Sequence, residues 1–188
     1  MSINELKKEL VLKAHDILVE EDLILLGAGT TVEAFIRYSK NKKIFTASSN
    51  KISAEIKKFG HNEIGLNAIE RGKYVCIDGA DQIIRGNLII KGRGGAIYKE
   101  RKTWAHAKKI VVLITEDKIS DVLSVMLPIL ILPEYQDEII KSLNSNKDII
   151  KFDLRKNDNG ELIYTDEKMN IIDLIIDQNS AITSLEKE

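Results

Sequence analysis

Near the amino end, apolar residues recur at helical spacing, at Ile3, Leu6, Leu10, Ile17 and Leu18. Ser2 and Glu5 form a capping box ahead of them, so the pattern predicts a helix through about Glu20. The period then changes. Short apolar runs follow, each closed by polar or glycine breaks: Leu23 to Leu26, Ile44 to Ala47, Tyr74 to Ile77, Leu88 to Ile90 and Ile110 to Ile114. Runs of this kind predict buried strands. Helical patterns at Thr31 to Ser39, Asn50 to Phe59 and Gly94 to Lys108 lie between several of them. The alternation predicts an α/β fold, a doubly wound, Rossmann-like, mostly parallel sheet covered on both faces.

Both prolines of the chain, Pro128 and Pro133, bracket a further apolar run, which sets an expected domain boundary near residue 127. Residues 1–127 are then the α/β catalytic core and 128–188 a small α+β subdomain. In the subdomain, Glu134 to Leu143 reads as a helix. Ile149 to Leu154 and Leu162 to Tyr164 read as strands around the Asn157-Asp158-Asn159-Gly160 turn, and Ile171 to Ile176 as strand or helix. Ser184 to Glu188 are expected to fray.

With 188 residues, 44% of them hydrophobic, the chain can bury a substantial core. Its 28 basic and 29 acidic residues nearly cancel and the basic ones are spread along the length, which argues against nucleic acid and for a small-molecule partner. The single cysteine, Cys76, cannot form an internal disulfide. Glu5, Lys7, Lys8 and Glu9 occupy the place of a secretory apolar run, so a cytoplasmic location is expected. No stretch approaches the ~20 apolar residues that span a bilayer, which argues against a membrane protein. His15, His61 and His106 are scattered without metal-ligand spacing, so no metal is expected.

The candidate chemistry gathers between Asp78 and Glu100, DGADQIIRGNLIIKGRGGAIYKE. Carboxylates beside a lysine set among glycines suit a reaction in which a carboxylate takes a proton from carbon next to a sugar carbonyl. Lysine and backbone amides would hold the developing negative charge. Asp78 and Asp81 leave a predicted strand at its carboxyl end, where open α/β sheets collect ligand-binding groups, although either one singly reads equally as a turn former. Lys91-Gly92-Arg93-Gly94-Gly95 follows another predicted strand, and its glycines let amides and ammonium approach one oxyanion. A flexible basic turn is the plainer reading. Glu100, taken alone, reads as a solvated helix charge pairing with Lys99, Arg101 or Lys102.

A further loop, Leu26-Gly27-Ala28-Gly29-Thr30-Thr31, stands between a predicted strand and helix, where amides and the helix dipole meet anions. A tight turn accounts for its glycines equally well. It lacks the third glycine and the acidic partner of a dinucleotide fingerprint. Cys76 and Trp104 read as core, and Lys7 and Lys118 as surface lysines, with Lys118 following a predicted strand.

Taken together, LGAGTT, DGADQ and KGRGGAIYKE resemble the GxGTGST, DGADE and KGGGGAxxRE strings of type A ribose-5-phosphate isomerase, in matching order and spacing and with TASSN at Thr46 to Asn50 between them. The similarity runs from the opening NELKKEL through about Ile176. The resemblance implies cofactor-free interconversion of D-ribose 5-phosphate and D-ribulose 5-phosphate through an enediolate, and assembly as a homodimer. It implies that Glu100 is the proton acceptor, that Asp78 and Asp81 contact and help open the sugar, and that Lys91 stabilises the enediolate oxygen. Ala28, Gly29, Thr30 and Thr31, with Lys118 and Lys7, would hold the phosphate, and Gly92, Arg93 and Gly94 would line the substrate. A glutamate carboxyl is ordinarily ionised at neutral pH and competent as a base, which agrees with that role.

The chain departs from the family pattern at Gln82 (Glu in the family), Ala28 (Thr), Thr30 (Ser) and Arg93 (Gly), and is expected to be truncated at its carboxyl end relative to the family. Arg93 either clashes with the backbone cradle or adds a phosphate contact. Two other readings stand beside the isomerase. One is an isomerase for a related sugar phosphate. The other is a non-catalytic sugar-phosphate sensor of the same fold type, weakened because a single opening helix leaves no room for a helix-turn-helix.

Overall fold

In chain order the elements are α1 (Ile3–Ile17), β1 (Leu23–Leu26), α2 (Thr30–Tyr38), β2 (Ile44–Ala47), α3 (Asn50–Lys58), β3 (Asn62–Glu63), β4 (Val75–Gly79), β5 (Gln82–Ile84) and β6 (Leu88–Ile90). They continue with α4 (Ile97–Ala105), β7 (Lys109–Leu113), β8 (Ile119–Ser120), β9 (Leu127–Ile131), α5 (Gln136–Ser145), β10 (Ile149–Leu154) and β11 (Asn170–Ile176). Single 3₁₀ turns occur at Leu66–Ala68, Glu116–Lys118 and Pro133–Tyr135. The structure, a computed structural model, describes residues 2–40, 43–84 and 88–177, so the fraying expected at Ser184 to Glu188 lies outside the described residues.

The chain divides into two units. The first comprises the residues up to Ala80 together with Tyr98–Lys118, and the second Asp81–Ile97 together with the residues from Ile119 on. This differs from the boundary expected near residue 127. The reason is pairing: β5 is antiparallel to β6 and parallel to β8, with Ile83 opposite Ile119, so these short strands form one mixed sheet in the second unit. Leu88 to Ile90 is therefore a strand of that sheet and not of the main parallel one.

The first unit is built on a five-stranded sheet of order β3-β2-β1-β4-β7, parallel at every pairing. Its central strands β1 and β4 are buried on both faces, as their unbroken apolar runs require, while β2, β3 and β7 each carry exposed residues. Strand alternation sorts the side chains. Ile24, Leu26, Val75 and Ile77 join Val11 and Ala14 of α1, Val32, Phe35 and Ile36 of α2 and Ile52 and Ile56 of α3 in the larger core. Leu25, Tyr74 and Cys76 face the other way, against Trp104 of α4 and Ala107. The Ser2–Glu5 capping box forms as the sequence predicts, Ser2 N–H donating to Glu5 Oε2 (2.6 Å) and Glu5 N–H to Ser2 Oγ (3.3 Å).

In the second unit, β9, β10 and β11 make an antiparallel sheet of order β10-β11-β9. Ile131, Ile172 and Leu174 pack there with Ile139, Ile140 and Leu143 of α5. Ile171 to Ile176, open between strand and helix from its apolar run, is strand. Leu162 to Tyr164 makes only isolated bridges, Lys156 to Leu162 and Tyr164 to Asn170. Among the described residues no helix is long and apolar enough to cross a membrane.

Candidate active site

In a parallel sheet all carboxyl ends lie along one edge. The connections from β1 and β4 leave in opposite directions, because β1 leads through α2 to β2 on one side while β4 lies on its other side. That is the topological switch point, where open α/β sheets hold ligands. The glycine loop follows β1 and Asp78 stands near the end of β4, so both flank it.

The two are interlocked. A Cβ added to Gly27 would lie 2.2 Å from Asp78 Cγ, and Gly27 N–H donates to Ile77 O (2.8 Å). Gly27 is thus glycine because the Asp78 carboxyl occupies the space of a side chain. Thr31, which is buried, approaches Gly79 closely, its Cβ lying 3.8 Å from where a Gly79 Cβ would be. Gly29 takes φ +105°, a left-handed angle that glycine adopts freely, and α2 starts directly after it with no side-chain cap on its amides. Those amides and the helix dipole remain disposed toward an anion. Lys7 of α1 donates to Thr30 Oγ1 (2.9 Å), which brings the amino-terminal lysine to this loop. Lys118, in the turn after β7, donates to Ala80 O (2.8 Å).

Asp78 is fully buried. By strand alternation it faces the same side as Cys76, toward α4. There Trp104 Nε1 donates to Asp78 Oδ2 (3.1 Å), and the Gly79 amide donates to Oδ1 (2.8 Å). The reading of Trp104 as core alone is therefore incomplete: its ring packs on Leu25, Tyr74 and Cys76 while its N–H orients a carboxylate. No sequence spacing signalled this, since the partners meet only through the β4–α4 packing.

Glu100 lies one helical turn before Trp104 on the same face of α4, and it too is buried. The reading of Glu100 as a solvated surface charge does not survive this burial. The helix that carries it begins at Ile97 and not at Gly94, because Gly94 and Gly95 form a turn that Gly95 N–H closes onto Gly92 O (2.9 Å). Tyr74 pins α4 to the sheet by donating to Thr103 O (2.7 Å). Burial, reinforced by the nearby Cys76 and opposed by Arg71, pushes the Tyr74 phenol up, which keeps it a neutral donor.

The other candidates belong to the second unit. Asp81 Oδ2 accepts from Arg93 N–H (2.9 Å), and Asp81 N–H donates to Ile90 O (2.9 Å). Asp81 thus holds the loop that carries Lys91. Gly92, at φ +100°, has no room for a side chain, since a Cβ would lie 2.5 Å from Ile97 Cγ1 and 2.9 Å from Pro128 Cγ. Arg93 and Gly94 are exposed. Arg93 has no left-handed backbone, so its conformation carries no strain from a side chain where the family string has glycine. Gln82, the departure beside Asp81, is buried and structural: its Nε2 donates to Val122 O (2.7 Å) and its Oε1 accepts from Ser124 N–H (2.9 Å).

Replacing Trp104 by phenylalanine keeps an aromatic ring, though a smaller one, and removes the donor to Asp78. A buried carboxylate that loses a hydrogen bond costs about 1–3 kcal/mol, so urea unfolding should show a loss of that size, together with reduced turnover.

The family model of ribose 5-phosphate isomerase A (phosphoriboisomerase A) matches residues 44–188. The chain is 34% identical over 175 residues to the ribose-5-phosphate isomerase A of Buchnera aphidicola subsp. Schizaphis graminum, covering 87% of this chain and 77% of that protein. With that of Thermoplasma volcanium it is 31% identical over 174 residues, covering 88% and 71%. A solved D-ribose-5-phosphate isomerase in complex with phospho-erythronic acid is similar at TM-score 0.84 and 25% identity, over 99% of this chain and 85% of that one. A buried aspartate locked against a glycine loop at the switch point, on a chain with these relatives, is part of an enzyme: the protein belongs to the ribose 5-phosphate isomerase A family of isomerases.

Proposed function

We propose that the protein interconverts D-ribose 5-phosphate and D-ribulose 5-phosphate through an enediolate, with Glu100 as the base. The observation that carries the proposal is the packing of the Asp78 carboxyl against Gly27, which joins an acidic group and an anion-holding loop at one edge of the sheet. In this reading the loop of Ala28, Gly29, Thr30 and Thr31, with Lys7 and Lys118, takes the phosphate. Asp78 and Asp81 hold the sugar hydroxyls and assist ring opening. The Glu100 carboxylate then removes the proton from the carbon beside the aldehyde. The C–H electron pair becomes the carbon–carbon double bond, and the aldehyde oxygen takes up the negative charge opposite Lys91 and the amides of Gly92 and Gly94, between which the Arg93 N–H is held by Asp81. Returning the proton to the former aldehyde carbon, with transfer of the hydroxyl proton between the two oxygens, completes the ketose. The relative solved with phospho-erythronic acid, an open-chain phosphorylated sugar acid, supports a ligand of this class. The same reading makes the enzyme a cytoplasmic homodimer that uses no cofactor or metal.

The test is incubation with ribose 5-phosphate in the presence of a chelator, following ribulose 5-phosphate. Turnover is expected. Calorimetric binding of ribose 5-phosphate without turnover would replace this reading by the sensor.

A further inference from the structure

We propose that Arg155 is a positioning residue that aims the Gly94 amide at the developing enediolate oxygen; the inference rests on the reading of Lys91–Gly95 as the oxyanion cradle. Arg155 follows β10 in the second unit, and its own backbone is fixed on both sides, with N–H donating to Ile171 O (2.8 Å) and C=O accepting from Ile163 N–H (3.0 Å). Its guanidinium is clamped by Asp173 of β11: Nε donates to Oδ2 (2.7 Å) and Nη2 pairs with Oδ1. The remaining nitrogen, Nη1, donates to Arg93 O (2.8 Å), with a longer contact to Gly92 O (3.5 Å).

A trans peptide is planar, so its C=O and the following N–H point in opposite directions. Holding the Arg93 carbonyl toward Arg155 therefore turns the Gly94 N–H to the other side of the loop. The preceding peptide is fixed as well, because Asp81 accepts the Arg93 N–H and Gly95 N–H returns to Gly92 O. Gly94 is exposed, and its amide has no acceptor among the described residues. The result is a donor already oriented before substrate arrives, which is how an oxyanion cradle gains its effect. The task suits arginine: its rigid fork addresses a carboxylate with two nitrogens while a third reaches a carbonyl, a geometry that a lysine ammonium cannot reproduce.

The test compares wild type with Arg155→Lys, which keeps the charge facing Asp173 and loses the fork, and with Phe152→Leu, which loosens the apolar cluster of the same unit without touching the loop. The readouts are turnover of ribose 5-phosphate and the ¹⁵N-amide resonance of Gly94. Arg155→Lys should shift or broaden that resonance and lower kcat about 10- to 100-fold, less than the roughly 100- to 1000-fold that outright loss of an oxyanion donor costs, because the Gly94 N–H is misaimed and not removed. KM should move by less than about 3-fold, since the contact acts in the transition state. Phe152→Leu should lower the unfolding midpoint with kcat and the Gly94 resonance unchanged. The proposal is overturned if Arg155→Lys behaves like Phe152→Leu, or if the resonance moves while kcat does not. A wild type without turnover removes the functional reading and with it this catalytic role; a displaced Gly94 resonance in Arg155→Lys then still shows Arg155 as the support of the loop.

Discussion

Replacing Glu100 by glutamine is expected to lower kcat for ribose 5-phosphate by about a hundredfold to ten-thousandfold, the range over which a positioned base accelerates proton transfer. Glutamine keeps the shape of the side chain and has nearly the helix propensity of glutamate, so α4 should form as before. The contacts that seat this helix, Tyr74 on Thr103 O and Trp104 on Asp78, lie elsewhere on it. KM should change little, because the amide can still occupy the space of the carboxylate and only its basicity is lost. Steady-state kinetics with circular dichroism as the fold control decide the matter. Equal rates in variant and wild type would remove Glu100 from its role, while a parallel loss of helicity would make the result structural.

The second large effect is expected at Gly27. An alanine there puts a methyl group 2.2 Å from Asp78 Cγ and 2.4 Å from its Oδ1, separations that packed atoms do not adopt. One partner must move. Asp78 is poorly able to, since it is fully buried and held by the Gly79 amide and the Trp104 N–H. The strand-to-helix loop is tied in turn by Gly27 N–H to Ile77 O. Overpacking of this kind costs about 1–3 kcal/mol, and urea unfolding of Gly27→Ala should show it. Activity should fall by more than stability suggests, because the displaced atoms are those proposed to hold sugar and phosphate; a displacement of about 1 Å in such a site costs roughly a hundredfold. Gly65→Ala is the matching control. Its Cβ meets nothing within 4 Å, and its φ of −66° suits any residue, so it should leave activity intact. A fully active Gly27→Ala would separate the glycine loop from the carboxylate.

The parallel core was legible because burial on both faces demands continuous apolar runs, and Leu23 to Leu26 and Ile44 to Ala47 are such runs in the sequence and strands in the structure. The capping box likewise announces the start of α1. What escaped were contacts set by tertiary packing. β5 and β8 are three and two residues long, too short to show a period, and they pair across a wide sequence separation, so the excursion of Asp81–Ile97 into the second unit left no local mark. In the candidate site, Asp78, Asp81, Lys91 and Glu100 stood out by residue type and by glycine neighbours. Trp104 and Arg155 did not, because their roles are hydrogen bonds made across the fold; Arg155 lies 62 residues from the carbonyl it holds. Gln82 shows the converse case, a departure from the family string that the structure accounts for by two hydrogen bonds to the segment after β8.

Proton transfer by a carboxylate through an enediolate leaves a trace that no hydride shift leaves. When the wild-type enzyme, with chelator present, equilibrates ribose 5-phosphate in heavy water, deuterium should appear on the carbon beside the aldehyde in the recovered aldose. Under the same conditions Glu100→Gln should incorporate almost none. Product formed over many turnovers with that hydrogen retained would contradict the account.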